Sequence, residues 1–598
     1  MKLLSLVLFP LQCLFVCFRH RKPQQRIQGP VAEPEDIPED ERPFIAAPVV
    51  IRDSKGLCPP SMCREASTAS SRSVQTEPDY KQLNPALTHL RNSLREAVLE
   101  CPVDGYKLFI PTLTLKRLID EDTVRSILKE GSLLALDRIE ETTRHILQHS
   151  RKLFAILVDR DKTCCISDFL EEGIDDEDLP FIRRSSVGEQ TLTLETSQRR
   201  RIKTFESWDR ESLKTFENEQ YRMLAPLLEV KTHHEFTELQ TLPYIALSTA
   251  DPQEDTSAEG GYGEVFQACI HPDHHNFWEY PTYKGQGLLV AVKRLYSSQE
   301  SSFTAERQFH EALGTNHPHV HVIDLLFTYK KGGKYHLVFP WADGSLRKYW
   351  QGRPTPPFDV RTLLWSLKQM AGVASGLSLI HQFNDGTLFG RHGDIKADNI
   401  LWFARLQDYD DEDGILQIAD MGLASVHRLG SRSNVNPASI TVPSTYSPPD
   451  AFRGRRISRA WDMWSLGCMY LEFVTWIVLG YEAIEDFANW RGNDDDNLEF
   501  SSDCFYMTDH QGIRTSVFEW VDHLRSQERC SAVIHDLLDL IMGDMIVLEP
   551  QLRSSSQSVW QKLNEIFRTA EKNREYLLKS MPVPADRPLL DEYFSDST

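Results

Sequence analysis

The stretch that most limits what this chain can fold into runs from Arg391 to Leu401 and reads R-H-G-D-I-K-A-D-N-I-L. Asp394 and Asn399 stand five apart in it. Apolar residues precede them (Leu377, Leu379, Ile380) and follow them (Ile400, Leu401, Trp402). Such flanks suit a tight loop between a helix and a strand, presenting one carboxylate to accept a hydroxyl proton and one amide to hold a metal. His392 opens the loop, and Lys396 sits two residues beyond Asp394.

Three further motifs lie around it in a fixed order. Downstream, Ile415 to Ala419 is a short β-type run that ends in Asp420-Met421-Gly422. Upstream, Leu288 to Lys293 is an apolar strand closed by a single lysine, with Ala291 two residues before it. Earlier still comes Ala258-Glu259-Gly260-Gly261-Tyr262-Gly263-Glu264-Val265. Together these resemble the eukaryotic-type protein kinases: the H-R-D-x-x-x-x-N catalytic loop, D-F-G, V-A-I-K and the Gly-rich loop. The chain departs from that pattern at Gly393, where the family has arginine, at Met421 in place of phenylalanine, and at Ala258 in place of the first glycine.

The resemblance implies an α+β bilobal fold, with a β-rich small lobe and a helical large lobe, and it implies ATP with Mg²⁺ or Mn²⁺ as cofactors. Backbone at Gly260, Gly261 and Gly263 would close over phosphates because no Cβ obstructs it, with Tyr262 as a cap and Val265 beneath. Lys293 would pair with a carboxylate on a neighbouring helix. Glu306 is the first choice because Phe309 and Leu313 follow on one helical face, and Glu311 is the second. Asp394 and Lys396 would act at the transferred group, and Asn399 and Asp420 would hold the metal. The run Leu337-Val338-Phe339 leads into Pro340-Trp341-Ala342-Asp343-Gly344, the expected adenine hinge, with Phe339 at the back of the pocket.

Later motifs point to protein rather than small-molecule phosphorylation. Ser447-Pro448-Pro449-Asp450 stands where the family has A-P-E, with Thr445 and Tyr446 facing substrate. Asp462-Met463-Trp464-Ser465-Leu466-Gly467 resembles D-x-W-S-x-G, and Arg553 resembles the late arginine that pairs with the acid of A-P-E, here Asp450. Since Gly393 removes the usual cation beside the catalytic aspartate, a phosphate on Ser431, Ser433, Ser439 or Thr441 would find no partner there. Only Arg428, Arg432 or a more distant arginine would remain.

At 598 residues with 41% apolar content the chain is long enough for several domains. The net charge of −21 disfavours nucleic acid or an anionic membrane as partner of the whole chain. Eleven cysteines without a C-x-x-C pair suit free thiols in a reducing, cytoplasmic setting. Residues 1–22 form an apolar segment with Pro10 in it and Arg19-His20-Arg21-Lys22 after it. It is short for a bilayer span and shows no cleavage signal, so an inert terminus or a membrane tether, with Cys13 and Cys17 acylated, are the two expectations. Membrane contact is expected only there. Residues 23–80 are rich in Pro, Glu, Ser and Arg and read as a disordered linker.

A small all-α module is expected over 81–243. Asn84-Pro85 signals a helix start, with Leu87, Leu90, Leu94 and Val98 at helical spacing. A second helix carries Val124, Ile127 and Leu128, and a third runs from about Arg144 to Val158. The stretch Asp168 to Phe181, with Trp208, Phe216 and Tyr221 beyond it, resembles the helical region ahead of the kinase domain in a group of fungal kinase-like proteins. The kinase domain is expected over 244–571, with the small lobe at 244–342 and the large lobe at 343–571, and a loose tail at 572–598. An insertion from His271 to Gln286 separates the Gly-rich strand from the lysine strand, and its histidines His271, His274 and His275 have no cysteine at ligand spacing to make a zinc site; an acidic insert from Asp408 to Asp413 reads as a solvated loop. The expected activity is transfer of the ATP γ-phosphoryl group to serine or threonine of a protein. Two alternatives stand beside it: a pseudokinase that binds nucleotide as a scaffold, and a small-molecule phosphotransferase.

Overall fold

In the computed structural model the described residues are 84–130, 136–183, 193–246, 258–259, 263–277, 287–296, 300–314, 319–382, 388–406, 409, 411–423, 425–428, 445–453, 458–493, 503–507 and 509–582. The chain divides into two compact units, 18–83 and the remainder, and every described residue belongs to the second. The apolar N-terminal segment, the linker, Gly260 to Tyr262 and residues 429–444 of the activation segment lie outside the described residues.

The leading module contains α1 (Pro85–Glu96), α2 (Thr112–Leu118), α3 (Glu121–Glu130), α4 (Leu136–His149), α5 (Arg151–Asp159), α6 (Ile166–Glu171) and α7 (Arg210–Glu219), with two short hairpins. These hairpins are β1 (Leu99–Cys101) with β2 (Lys107–Phe109), and β3 (Ile182–Arg183) with β4 (Leu194–Glu195). Asn84 caps α1 by accepting the Leu87 N–H at 2.9 Å, with proline at the first helical position. The single helix expected over Arg144 to Val158 is two helices. The chain breaks at Ser150, and Asp176 accepts the free N–H groups of Lys152 and Leu153 at the start of α5. The module has its own core, in which Phe169, Phe181, Phe205, Trp208 and Phe216 pack edge to face and stacked.

The small lobe is one six-stranded sheet in the order β5 (His233–Glu235), β9 (Phe327–Lys331), β10 (Lys334–Pro340), β8 (Leu288–Leu295), β7 (Gly263–Ile270), β6 (Ala258–Glu259). Its edge strand β5 lies ahead of residue 244, so the sheet begins in what the sequence assigns to the module. It pairs parallel to β9, His233 opposite Thr328. One helix, α8 (Glu300–Gly314), crosses this lobe.

The start of the insertion after β7 is anchored by a buried histidine. His274 is buried, its Nδ1 lies 2.9 Å from the Pro226 carbonyl, and its Nε2 accepts the Thr112 N–H of α2 at 3.2 Å. Phe109 meets the same ring edge on. His274 thus joins the helical module to the small lobe rather than binding metal.

The large lobe follows with β11 (Gly344–Ser345), α9 (Leu346–Gln351), α10 (Val360–His381), β12 (Leu388–Arg391), β13 (Ile400–Phe403), β14 (Ile415–Ile418), β15 (Ser425–Arg428), α11 (Arg459–Leu479), α12 (Glu482–Asn493), α13 (Thr515–Arg525), α14 (Ala532–Leu540), α15 (Ser556–Lys572) and α16 (Arg574–Leu578). Among the described residues α10 is the one helix long and apolar enough to cross a membrane, and most of it is buried in this core. Almost all of α11 is buried as well, which accounts for its unbroken apolar sequence. The acidic insert is tied down at its described end: Asp411 pairs with Lys368 and Asp413 with Arg361, both on α10, and Trp365 Nε1 donates to the Gly414 carbonyl at 2.8 Å.

Four buried histidines are held neutral by their burial: His310 down to about 3, and His274, His321 and His336 each to about 4. Their folded pKa lies below the unfolded value of 6.5, so below that pH the unfolded chain binds more protons and stability falls as pH falls. Each contributes at most about 1.4 kcal/mol per pH unit between 6.5 and its folded value. The melting temperature is expected to drop by several degrees or more between pH 7.5 and pH 5. An unchanged value would show that these rings are not buried neutral.

Candidate active site

Strand register places the lysine. Lys293 on β8 lies opposite Val265 of β7 and Leu337 of β10, so its side chain leaves the middle of the sheet toward the large lobe. Its Nζ donates to Glu306 Oε1 at 2.7 Å and to Asp420 Oδ1 at 2.8 Å. Glu306, and not Glu311, is therefore the partner on α8. Glu311 lies on another side of the helix, paired with Arg307. Burial opposes the charge on Lys293, but the two carboxylates prevail and hold its pKa above the ordinary lysine value. Burial likewise pushes Asp420 up, and Lys293 overrides it and holds the carboxyl at about 2.

The loop between β12 and β13 is hung from one buried carboxylate. Asp462, at the start of α11, accepts the backbone N–H groups of His392 and Gly393 at 2.8 Å each and lies 2.9 Å from His381 Nε2. His392 Nδ1 accepts the Asp394 N–H at 3.2 Å, so its Nε2 carries the proton and donates to the Ala419 carbonyl at 2.9 Å. Gly393 has φ +88°, a region that a side chain makes costly.

Asp394 and Asn399 meet across this loop. Asn399 Nδ2 donates to the Asp394 carbonyl at 2.8 Å and to its Oδ2 at 2.9 Å, and Lys396 Nζ reaches the same Oδ2 at 2.7 Å. Both of these side-chain contacts fall on Oδ2 of the carboxylate. Asn399 is fully buried, and its Oδ1 has no hydrogen-bond partner. A buried acceptor left without a donor costs roughly 1–3 kcal/mol, and an orphan amide oxygen beside Asp420 and Asp394 fits a hard cation. Mg²⁺ or Mn²⁺ would be held there by Asn399 and Asp420.

Glycine after the Asp420-Met421 pair leaves room for the ion pair: a Cβ on Gly422 would stand 3.1 Å from Lys293 Nζ and 3.2 Å from Asp420 Oδ1, and the two would have to shift by a few tenths of an ångström. Met421 is buried in the large-lobe core with Phe309 and Leu313 of α8, so the apolar position that the motif demands is filled. The cleft itself is lined by Val265, Ala291, Lys293, Phe339, Leu401 and Asp420 among others. Its free volume is about 30 Å³, well below the roughly 300–1,000 Å³ of occupied ligand sites. Trp341 and Ala342 follow β10 in the connection between the lobes, and Asp343 receives the Ala404 N–H at 2.7 Å.

After the Thr445–Tyr446 pair, Asp450 meets Arg553 through two parallel bonds of 2.9 and 2.7 Å, with both side chains fully buried. Sequence reasoning missed a second buried network. Glu472, in the otherwise apolar run from Met463 to Leu479, accepts the Tyr446 hydroxyl at 2.6 Å and the Arg347 guanidinium at 3.0 Å. An acid in the middle of an apolar run was the available signal, since such a charge needs a partner. No phosphate partner exists at Gly393. The nearby Arg391 is half-buried, with its Nε unbonded and its pKa pushed down by burial.

Fold and site together define a bilobal protein-kinase-like protein preceded by a helical region. Residues 279–563 match the family model of the protein kinase domain. The match begins after β7, so the Gly-rich strand is located by the sheet pairing alone. Cyclin-dependent kinase-like 5 of Homo sapiens is 23% identical over 214 residues, 35% of this chain and 19% of that protein. Mitogen-activated protein kinase kinase kinase 10 of Homo sapiens is 26% identical over 226 residues, 37% of this chain and 21% of that protein. Cell division control protein 2 homolog D of Antirrhinum majus is 26% identical over 230 residues, 36% of this chain and 63% of that protein. The chain thus spans about a fifth of the length of the first two.

Gly393→Ala is expected to cost about 1–3 kcal/mol, the usual range for a side chain forced into positive φ. Denaturant unfolding measures it. A midpoint equal to wild type would mean that the loop relaxes freely about Asp462.

Proposed function

We propose that this chain is an ATP-dependent protein kinase that transfers the γ-phosphoryl group to serine or threonine hydroxyls of proteins. The observation that carries this reading is the assembly of Lys293, Glu306 and Asp420 within hydrogen-bond reach, across the cleft from Asp394 and Asn399. In it Lys293, fixed by two carboxylates, grips the phosphates of the nucleotide. Asp394, held through Oδ2 by Lys396 and Asn399, keeps Oδ1 for the proton of the attacking hydroxyl. Lys396 places positive charge beside the group in transfer. A metal ion at Asn399 and Asp420 supplies charge neutralisation of the phosphates when bound. Thr445 and Tyr446, anchored on Asp503 and Glu472, form the floor on which a protein substrate rests.

Asp394→Ala is expected to reduce phosphotransfer from ATP by several orders of magnitude while ADP affinity stays within a few fold. Radiolabel transfer to protein, with mass spectrometry of the products, checks both points. Equal rates in the two proteins would remove Asp394 from the mechanism, and label only on a small molecule would remove the protein-substrate reading. The narrow cleft favours one second reading, a scaffold that has lost turnover. No transfer by either protein would favour it.

Since Gly393 provides no charge to neutralise, activity is expected to be independent of phosphate on the activation segment. Phosphatase-treated protein should turn over within about tenfold of untreated protein, a difference of roughly 1.4 kcal/mol in barrier. A larger loss would mean that a cation such as Arg391 or Arg428 takes the part of the missing arginine.

A further inference from the structure

Among the described residues the cysteines fall into two sets. Cys101, Cys269, Cys468, Cys504 and Cys530 are buried, whereas Cys164 is exposed and Cys165 is half-buried. These two are neighbours in the chain, on the tight turn Thr163–Cys165 that leads into α6. Their sulfurs lie 3.9 Å apart. No step of the phosphotransfer reading uses them.

The turn holds the pair in an asymmetric state. Cys165 packs against the core of the helical module and is hydrogen-bonded by the Trp208 side chain, while Cys164 faces solvent beside it. Lys162 brings a positive charge to the same place, its Nζ 5.3 Å from the centre of the Trp208 ring. The hydrogen bond from Cys165 holds the Cys164 thiol down at about 6, with burial opposing and Lys162 helping. The same bond, together with burial, pushes Cys165 up. One sulfur is thus a thiolate at neutral pH, and the other keeps its proton until the first has reacted.

Distance decides what such a pair can take. A direct S–S bond fits badly, because adjacent Cα atoms are about 3.8 Å apart, short of the roughly 4.4–6.8 Å that disulfides span. A single bridging atom fits better, since two bonds of about 2.3 Å at a tetrahedral angle set the sulfurs about 3.8 Å apart. The number of ligands at hand narrows the acceptor further. Zn²⁺ asks for four, and among the described residues no three His, Cys, Asp or Glu are grouped to hold a metal ion. What remains is a soft acceptor that two sulfurs complete.

We propose that Cys164 and Cys165 form a dithiol binding site for a monosubstituted trivalent arsenical, R–As=O. The Cys164 thiolate attacks arsenic first, and the Cys165 thiol follows from the same turn. Two As–S bonds form, the As=O bond is lost, its oxygen leaves with the two thiol protons as one water, and arsenic stays trivalent. Exposure of Cys164 gives access, and the packing of Cys165 fixes the second sulfur, so little freedom is lost when the ring closes. The site is independent of the kinase reading.

The probe is phenylarsine oxide, added to the reduced full chain and read by intact mass and peptide mapping. One phenylarsenic group in place of two hydrogens is expected on the peptide that carries Cys164 and Cys165. The adduct should survive excess 2-mercaptoethanol and be removed by 2,3-dimercaptopropanol, because only another dithiol matches the chelate. Cys164→Ser and Cys165→Ala should each weaken retention at least about hundredfold. Cys164→Ser changes an exposed side chain, and an unchanged circular dichroism melt separates loss of the site from loss of the fold. An equal concentration of Zn²⁺ should leave the adduct in place. Loss of the adduct to 2-mercaptoethanol, label carried only by other cysteines, or full retention by Cys164→Ser would overturn the site. Displacement by Zn²⁺ would do so as well, by showing that further ligands are at hand.

Discussion

Lys293 holds two carboxylates that would otherwise repel each other in a poorly solvated cleft, Glu306 from the small lobe and Asp420 from the large one. Each partner arrives on a different element, so the contact fixes β8, α8 and the turn after β14 with respect to one another. One positive charge against two negative ones leaves the cluster short of a cation. Asn399 Oδ1, buried and unbonded nearby, is the other half of that deficit.

The large lobe answers this cluster with rigidity. Asp462 on α11 fastens the backbone of His392 and Gly393, and Arg553 with Asp450 fastens the segment on which a substrate would rest. Buried ion pairs of this kind contribute little net stability but cost several kcal/mol when one partner is removed. What they do here is hold Asp394 and Tyr446 in one register on the most buried helix of the molecule. Gly393 belongs to the same logic. Positive φ lets two successive N–H groups face one carboxylate, and a loop built that way has no need of an arginine to hold it.

The helical region is more than a neighbour. It contributes an edge strand to the small-lobe sheet and receives His274 from the insertion. The region is thus built into the small lobe although it holds no residue of the site itself.

Local sequence carried most of the site. The loop from His392 to Asn399, the lysine at the end of an apolar strand and the aspartate after β14 are legible because each is fixed by a short motif within a few residues of its strand or helix. Glu306 was legible for the same reason, through the spacing of Phe309 and Leu313. Sequence could not place what depends on long-range packing. Pairing of His233–Glu235 with β9 spans about a hundred residues and leaves no periodicity in a three-residue strand. Ser150 breaks a helix that its apolar spacing continues, because Asp176 from a distant turn satisfies the exposed amides. The partners of His274 and Glu472 lie on elements far away in the chain, so nothing in their local sequence names them. Composition and spacing determined which groups the chain can bring to a cleft, since these act within one element. Only tertiary structure decided which buried charges find partners and which are left open, because that depends on residues far apart in the chain meeting in space.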